Sequence, residues 1–463
     1  MEKIAVADVM LWGKRIGAIY WEEGQNIGVF EYDRKFLTAK GIELSPFLMK
    51  KSTKKYSFVG ENPDTFKGLP GMLADSLPDK FGNALINSWL AKNGKKEGDF
   101  SPVERLCYIG KRGMGALEFI PATSGDDKAE SVDISLDEMV KLASKVLSNR
   151  EEISETINPD DEAKTEQALK NLLLIGSSAG GARAKCLIAY NRNTGEIKSG
   201  QVQCPDGFDY FLLKLDGVDK NRDKEITDPL GYGRSEFAYY KMALDCKIEM
   251  TACELIEENQ RAHFMTKRFD RVNGQKLHMQ SLCGLRHYDF NQAGAHSYEQ
   301  VLDVIRELVK VGQKKTLEQQ FRRTVFNVVA RNQDDHTKNI AFLMDKRGQW
   351  KLSPAYDVAY SYNPTGPWTN KHQMKINGKR DDFILNDLIE FGKKADLSEQ
   401  KVRTIVVEIT KVVRKWKKYF KESDVPNEIV KGVEGNLRLH LIDVEEEERK
   451  KEEKRKKANK NKI

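Results

Sequence analysis

The stretch Asn332-Gln333-Asp334-Asp335-His336-Thr337-Lys338-Asn339 gathers two carboxylates, an imidazole, an ammonium and three side-chain amides into eight residues. Eighteen residues after Asn339 comes Asp357, in Ser353-Pro354-Ala355-Tyr356-Asp357. Transfer of a phosphoryl group to a hydroxyl needs such a set. One carboxylate accepts the proton of the attacking hydroxyl, while an Asn and a second Asp hold Mg²⁺ against the nucleotide phosphates. A single acidic residue has easy structural explanations; Asp334, Asn339 and Asp357 at this spacing have fewer. Two strand-like runs, Ile340 to Met344 and Trp350 to Leu352, lie between them, and Lys346-Arg347-Gly348 turns the chain. Such a hairpin would return Asp357 to the neighbourhood of Asn339 and Asp334.

Two further features bear on anions. Gly176-Ser177-Ser178-Ala179-Gly180-Gly181-Ala182-Arg183-Ala184-Lys185 is rich in small residues whose backbone N–H groups can approach a phosphate closely. It is neither a Walker A nor a GxGxxG sequence, and an ordinary helix-to-strand turn would read the same way. Lys214 lies in the apolar run Phe211-Leu212-Leu213-Lys214-Leu215. A buried lysine there needs an anionic partner, such as phosphate oxygens, with Glu236 on the following helix to hold it. The alternative is an edge-strand lysine turned to solvent.

The elements that must position these residues divide the chain. Residues 1–60 alternate apolar and polar types in short runs and read as a small antiparallel β-unit. Gly71 to Ala91 reads as one helix, and Ser135-Leu136-Asp137-Glu138 as a capping box opening another. A helix over Glu162 to Leu174 precedes the Gly-rich stretch. Strands follow at Lys185 to Tyr190, Tyr210 to Leu215 and Ala262 to Phe269, with a helix near Glu236 to Leu244 between the last two. Beyond 297 the pattern is helical, with capping boxes at Ser297/Gln300 and Thr316/Gln319. This is an α+β pattern: a two-lobed, kinase-like fold with a mixed β N-terminal lobe, an extra small β subdomain and a mainly helical C-terminal lobe. The expected segments are 1–160, 161–269, 270–440, and a charged, partly disordered tail at 441–463.

Composition narrows the class. The 463 residues are 39% hydrophobic and 32% charged, with a net charge of +7. No apolar run reaches the roughly 20 residues of a membrane span, and the first residues lack the apolar core of a signal peptide, so the expected location is the cytoplasm with no membrane partner. Cys107, Cys186, Cys204, Cys246, Cys253 and Cys283 form no CxxC pair, and the seven histidines form no HExxH pattern; reduced thiols are expected. Lys454 to Ile463 carries six basic residues and no acidic one, read either as a solvated tail or as an arm touching DNA phosphates.

Taken in order, the Ser178–Lys185 loop, Lys214, Lys267-Arg268-Phe269-Asp270-Arg271, Asp334-x-His336-x-x-Asn339 and Tyr356-Asp357 resemble the HipA family of bacterial toxin kinases from type II toxin–antitoxin modules. Leu69-Pro70-Gly71-Met72-Leu73-Ala74-Asp75-Ser76-Leu77-Pro78-Asp79 and Gly115-Ala116-Leu117-Glu118-Phe119 are also similar to it, so the resemblance runs to about residue 440. It implies an ATP- and Mg²⁺-dependent serine/threonine protein kinase. Asp334 would be the catalytic base, and Asn339 and Asp357 the metal ligands. Gly180, Gly181, Ala182, Arg183, Ala184 and Lys185 would form the phosphate loop, with Lys214 on the ATP phosphates. Lys267, Arg268 and Phe269 would hold adenine as a hinge; His336, Thr337, Lys338, Asn339 and Tyr356 would line the nucleotide. Ser178 falls where the family carries a self-phosphorylated serine, a modification associated with a displaced loop and lost ATP binding. Adjacency leaves Asp335 and Ser177 as one-residue alternatives to Asp334 and Ser178. Lys267 stands where other members have an acidic residue. The implied partners are a HipB-like helix-turn-helix antitoxin, operator DNA through that complex, and a protein substrate such as an aminoacyl-tRNA synthetase. Two other readings compete: a DNA-associated regulator whose fold mainly docks the antitoxin, motivated by the basic tail and by Lys371 to Arg380, and a kinase of a small molecule.

Overall fold

A computed structural model of the chain describes residues 3–92, 94–121, 135–148, 183–200, 206–218, 230–443 and 446–447. They form two compact units. The first comprises Met1–Gly233, Thr251–Asn291 and Ile340–Ser353; the second comprises Arg234–Met250, Gln292–Asn339 and Pro354–Ile463. The helix predicted over 162–174 and residues 176–182 of the Gly-rich stretch, Ser178 included, lie outside the described residues.

The first unit carries every named strand. β1 (Val6–Leu11), β2 (Lys14–Glu22), β3 (Ile27–Tyr32), β4 (Lys55–Tyr56) and β5 (Leu117–Ile120) form an antiparallel sheet in the order β4-β3-β2-β1-β5. The alternation read over residues 1–60 is the alternation of buried and outward residues on this sheet: Val9 and Leu11 are buried while Val6 is half exposed. A second sheet runs β7-β6-β8-β10-β9, from β6 (Lys185–Tyr190), β7 (Ile197–Ser199), β8 (Asp209–Lys214), β9 (Cys253–Glu258) and β10 (Arg261–Lys267). One face of it packs on helices Lys80–Lys92 and Leu136–Ser148: Cys186, Ile188, Phe211, Leu213 and Met265 share a buried cluster with Phe81, Leu85, Met139 and Val140. The strand expected to reach Phe269 ends at Lys267.

Two further ladders complete this unit. β11 (Arg271–Val272) pairs with β12 (Gln275–Lys276), and β13 (His278–Ser281), β14 (Ala341–Met344) and β15 (Trp350–Leu352) form a three-stranded antiparallel sheet. β14 and β15 are the predicted hairpin, turned at Gly348, whose φ of +79° suits glycine.

Two sequence expectations fail on local chemistry. Gly71 to Ala91 is not one helix: Gly71–Ala74 ends at Ser76-Leu77-Pro78, and a second helix starts at Lys80, because Pro78 lacks an N–H and disfavours helical backbone in the residue before it. The break lets Gly71 and Gly284 approach so closely that a Cβ at Gly71 would lie 2.4 Å from the Gly284 carbonyl oxygen. Thr316 is no cap either. The helix Gln313–Val329 starts after Gly312, and Thr316 Oγ1 donates back to the Gly312 carbonyl at 3.1 Å.

The second unit is helical. Ser297 caps Tyr298–Leu308 in the expected box, its N–H donating to Gln300 Oε1 at 2.8 Å. Gln313–Val329 and Leu385–Lys394 pack beside it and Glu399–Val413 packs on those two, through Leu302, Ile305, Phe321, Val325, Phe391, Val402 and Ile409, all buried. No helix among the described residues is long and apolar enough to cross a membrane.

Candidate active site

The loop that follows Gln313–Val329 is shaped by its own polar side chains. Arg331 takes a left-handed φ of 56°, which ends the helix. Arg438 N–H donates to the Val329 carbonyl, and Asn332 Nδ2 donates to Asn327 Oδ1, both at 3.0 Å. Thr337–Asn339 closes the loop as a 3₁₀ turn.

Within this loop the two adjacent aspartates have opposite surroundings. The Asp335 side chain is 1% exposed. It accepts from the Tyr298 hydroxyl at 2.8 Å, from His372 Nδ1 at 2.7 Å and from the Gln373 N–H at 2.7 Å. His372 in turn accepts from Arg438 through Nε2 at 3.1 Å, so His372 carries its proton on Nδ1. Burial pushes the Asp335 carboxyl up, but the His372 ring beside it, with the hydrogen bonds from His372, Gln373 and Tyr298, outweighs burial and holds it below the usual carboxylate range. The Asp334 side chain, by contrast, is 45% exposed. Its Oδ1 accepts from Trp368 Nε1 at 2.8 Å, with His336 Nε2 farther off at 3.7 Å. Of the pair, Asp335 is built into the interior and Asp334 is the one that can meet a substrate.

Asn339 Nδ2 donates to the Asp334 carbonyl at 2.7 Å, which turns its Oδ1 away from that bond. The Tyr356 hydroxyl donates to the Lys338 carbonyl at 2.6 Å, tying the segment of Asp357 to the segment of Asn339. The Ala355 N–H donates to the Glu249 carbonyl at 2.8 Å, and Asp357 itself has φ 52°, a conformation Asp tolerates better than most residues. The chain after the hairpin thus returns, at Tyr356, to the segment of Lys338 and Asn339. Among the described residues no group of three or more His, Cys, Asp or Glu would hold a metal alone. An Asn amide oxygen and an Asp carboxylate are nonetheless hard oxygen donors of the kind Mg²⁺ takes together with nucleotide phosphates, so the donor set fits.

In the first unit, Lys185 and Lys214 are register partners across β6 and β8 and lie on the sheet face opposite the helix-packed cluster. Directly opposed side chains have Cβ atoms roughly 5 Å apart. Lys185 is 2% exposed, and Lys214 Nζ stands 5.7 Å from the centre of the Phe264 ring. β8 lies between β6 and β10, so the edge-strand alternative for Lys214 does not hold. Arg183, before Lys185, stacks its guanidinium 3.3 Å from the centre of the Tyr232 ring.

The Lys267–Arg271 motif has a structural content that its resemblance did not convey. Arg268 Nε and Nη2 fork onto the two oxygens of Asp270 at 2.9 and 2.8 Å; Arg271 Nη1 and the Gly115 N–H add bonds of 2.7 Å each. Burial pushes the Asp270 carboxyl up, but Arg268 and Arg271 more than offset it and hold it far below the usual range. The N–H groups of Lys267 and Arg268 donate to the Ala252 and Tyr210 carbonyls, both at 2.8 Å, and the Lys267 carbonyl accepts from Thr251 Oγ1 at 2.9 Å.

Sequence reasoning missed Trp368, Ser361, Tyr298 and His372. Ser361 Oγ accepts the N–H groups of Gln333 and Asp334 at 2.7 and 2.9 Å. Trp368 and Ser361 sit around the Pro- and Gly-containing stretch Asn363 to Pro367, which reads as loop, and no fixed spacing links them to Asp334.

Comparison with known proteins bears on the family and the fold. The model of the HipA-like C-terminal domain matches residues 177–416, more than half the chain, and that of the HipA N-terminal domain matches residues 7–120. A putative kinase of Haemophilus influenzae is 25% identical over 190 residues, 35% of this chain and 54% of that protein, so the chain spans about half the length of this curated relative. The HipA chain of a Shewanella oneidensis toxin–antitoxin complex of HipA, HipB and operator DNA superposes with a TM-score of 0.63 at 15% identity, covering 90% of each chain, and shares the fold. The Helicobacter pylori proinflammatory kinase CtkA aligns over 50% of this chain and 89% of its own with a TM-score of 0.33 at 11% identity.

Proposed function

The chain belongs to the HipA family, and we propose that it is an ATP- and Mg²⁺-dependent serine/threonine protein kinase acting in the cytoplasm as the toxin of a toxin–antitoxin module. The observation that carries this reading is the separation of roles at the aspartate pair. Asp335 is caged by Tyr298, His372 and Gln373, while Asp334 keeps a half-exposed carboxylate and its backbone carbonyl accepts from Asn339. In this reading Asp334 accepts the proton of the attacking hydroxyl. Asn339 and Asp357 would hold Mg²⁺, which would neutralise charge on the transferring phosphoryl group. Lys185 and Lys214 would meet the ATP phosphates together with residues 180–184; the 267–269 segment would hold adenine; and His336, Thr337, Lys338 and Tyr356 would line the nucleotide. Ser178 would be the residue through which the enzyme silences itself, since a phosphate there adds about −1.5 to −2 charge beside the phosphate loop.

The experiment is phosphate incorporation from ATP and Mg²⁺ into the purified chain, located by mass spectrometry. Wild type should gain phosphate at Ser178, and Asp334→Ala should lower the rate by ~10²–10⁴-fold. An Asp334→Ala variant at the wild-type rate would sink the assignment.

A HipB-like partner and operator DNA are part of the same proposal, supported by the likeness to a HipA chain solved with HipB and its operator. Gel shift with a co-expressed helix-turn-helix protein tests this; no retardation in its presence counts against it.

A further inference from the structure

The segment after Asp357 reaches back to the catalytic loop at two places, and both act on the residue read above as the base. Trp368 Nε1–H bonds Asp334 Oδ1 at 2.8 Å, and His336 Nε2 at 3.7 Å is outside hydrogen-bond range of that oxygen. The indole therefore fixes the rotation of the carboxylate and directs Oδ2 elsewhere. Ser361 holds the backbone beneath it. Its N–H donates to the Arg331 carbonyl at 3.2 Å, its hydroxyl donates to Asn332 Oδ1 at 3.3 Å, and its oxygen accepts from the N–H groups of Gln333 and Asp334. One serine thus engages four consecutive residues of the loop.

The Trp368 contact is a poor candidate for holding the fold. Asp335, next in the chain, already anchors the loop with three short bonds in a dry interior. A hydrogen bond to a carboxylate that is half in water contributes little net stability. What such a bond does control is direction: a general base must come within about 2.6–3.2 Å of the proton it takes, and a displacement of about 1 Å costs on the order of 10²-fold in rate. Resting on the reading of Asp334 as the base, we infer that Trp368 and Ser361 are positioning residues, the first orienting the Asp334 carboxylate through its indole N–H and the second fixing the Asp334 backbone.

The test separates shape from hydrogen bonding. Trp368 is replaced by its benzothienyl isostere, in which sulfur stands where the N–H is, and Ser361→Ala and Asp334→Asn are made alongside. ATP turnover with Mg²⁺ is measured with the chain itself and with casein offered as acceptors. The isostere and Ser361→Ala should lose about 10- to 100-fold in kcat, on the order set by misplacement of a reacting group, with KM for ATP within about twofold of wild type; Tm is unchanged in the isostere, while Ser361→Ala also loses stability because it strands the buried Gln333 N–H. A wild-type kcat in the isostere, with Asp334→Asn inactive, overturns the orienting role while leaving the kinase reading intact. Full activity in Asp334→Asn, or no turnover in wild type, overturns the reading of Asp334 and this inference with it.

Discussion

Asp270→Ala removes the central carboxylate of a buried ionic cluster, and its cost can be worked from the contacts. The Asp270 side chain is fully buried, as is Arg268 at 1% exposure, while Arg271 is 11% exposed. Truncation deletes the two bonds from Arg268, one from Arg271 and one from the Gly115 N–H. Breaking a buried pair by removing one partner typically costs about 3–5 kcal/mol, because the remaining charge stays buried and uncompensated. Here two guanidinium groups remain, but each keeps carbonyl partners: Gly113 for Arg268 at 3.2 Å, and Gly115 and Gly113 for Arg271 at 2.9 and 3.1 Å. The lower part of the range, about 3–4 kcal/mol, follows. That is a large share of a typical total stability of about 5–15 kcal/mol. The sign against pH is also fixed. Because the folded carboxyl is held below its ordinary value, its contribution is fully present above about pH 4 and is lost only as pH falls through the depressed folded value. The assay is urea unfolding at pH 7, read by hydrogen exchange in peptides covering 117–120 and 261–267, so that the first unit is followed on its own. Arg268→Met combined with Asp270→Ala should cost less than the sum of the two single changes. A loss under about 1 kcal/mol for Asp270→Ala, against the range for buried pairs, would refute the reasoning.

Two other outcomes are expected. Lys185→Met and Lys214→Met should each raise KM for ATP by ~10-fold or more with a smaller change in kcat, since a hydrogen bond to a charged group is worth about 1.5–3 kcal/mol; ATP titrations with KM unchanged in both would remove the lysine pair from the nucleotide site. His278 is wholly buried in β13, and burial pushes its imidazole down to about 3, so the unfolded chain binds a proton that the folded chain refuses. Stability is then lost as pH falls below about 6.5, reaching a loss of roughly 2 kcal/mol by pH 5. His278→Phe should flatten that slope in denaturation midpoints, and a slope equal to wild type would remove His278 from the account.

How far the sequence reached depended on how local the determinant was. The β14–β15 hairpin was legible because its turn and its two apolar runs are contiguous, and the Ser297 cap because donor and acceptor are three residues apart. Thr316 matched the same short pattern, but Gly312 begins the helix four residues earlier, and a threonine one turn in can bond back to a carbonyl without capping anything. The Gly71–Ala91 periodicity runs straight across Pro78, since apolar spacing reports a buried face and says nothing about whether the backbone is continuous. In Lys267–Arg271 the charge pattern was visible, but not that Asp270 draws in the Gly115 segment from 155 residues away.

Asp334 and Asp335 mark the same boundary most sharply. Two identical side chains in sequence differ only in which way each one points, and that is decided by residues distant in the chain. Tyr298 comes from the start of Tyr298–Leu308, 37 residues upstream, and His372 and Gln373 from nearly forty residues downstream. Together they offer three donors in a site from which water is excluded, and a carboxylate placed there must stay, since leaving would strand those donors unpaired. The neighbouring position then faces outward, where one indole N–H is enough to aim it and water can still exchange around it. Spacing to His336 and Asn339 picked Asp334 from the pair, but nothing in that spacing says which of the two carboxylates faces outward. The physical cause of the division is the cage around Asp335, and a change that loosens the cage, at Tyr298 or His372, should reach Asp334 through the one peptide bond that joins them.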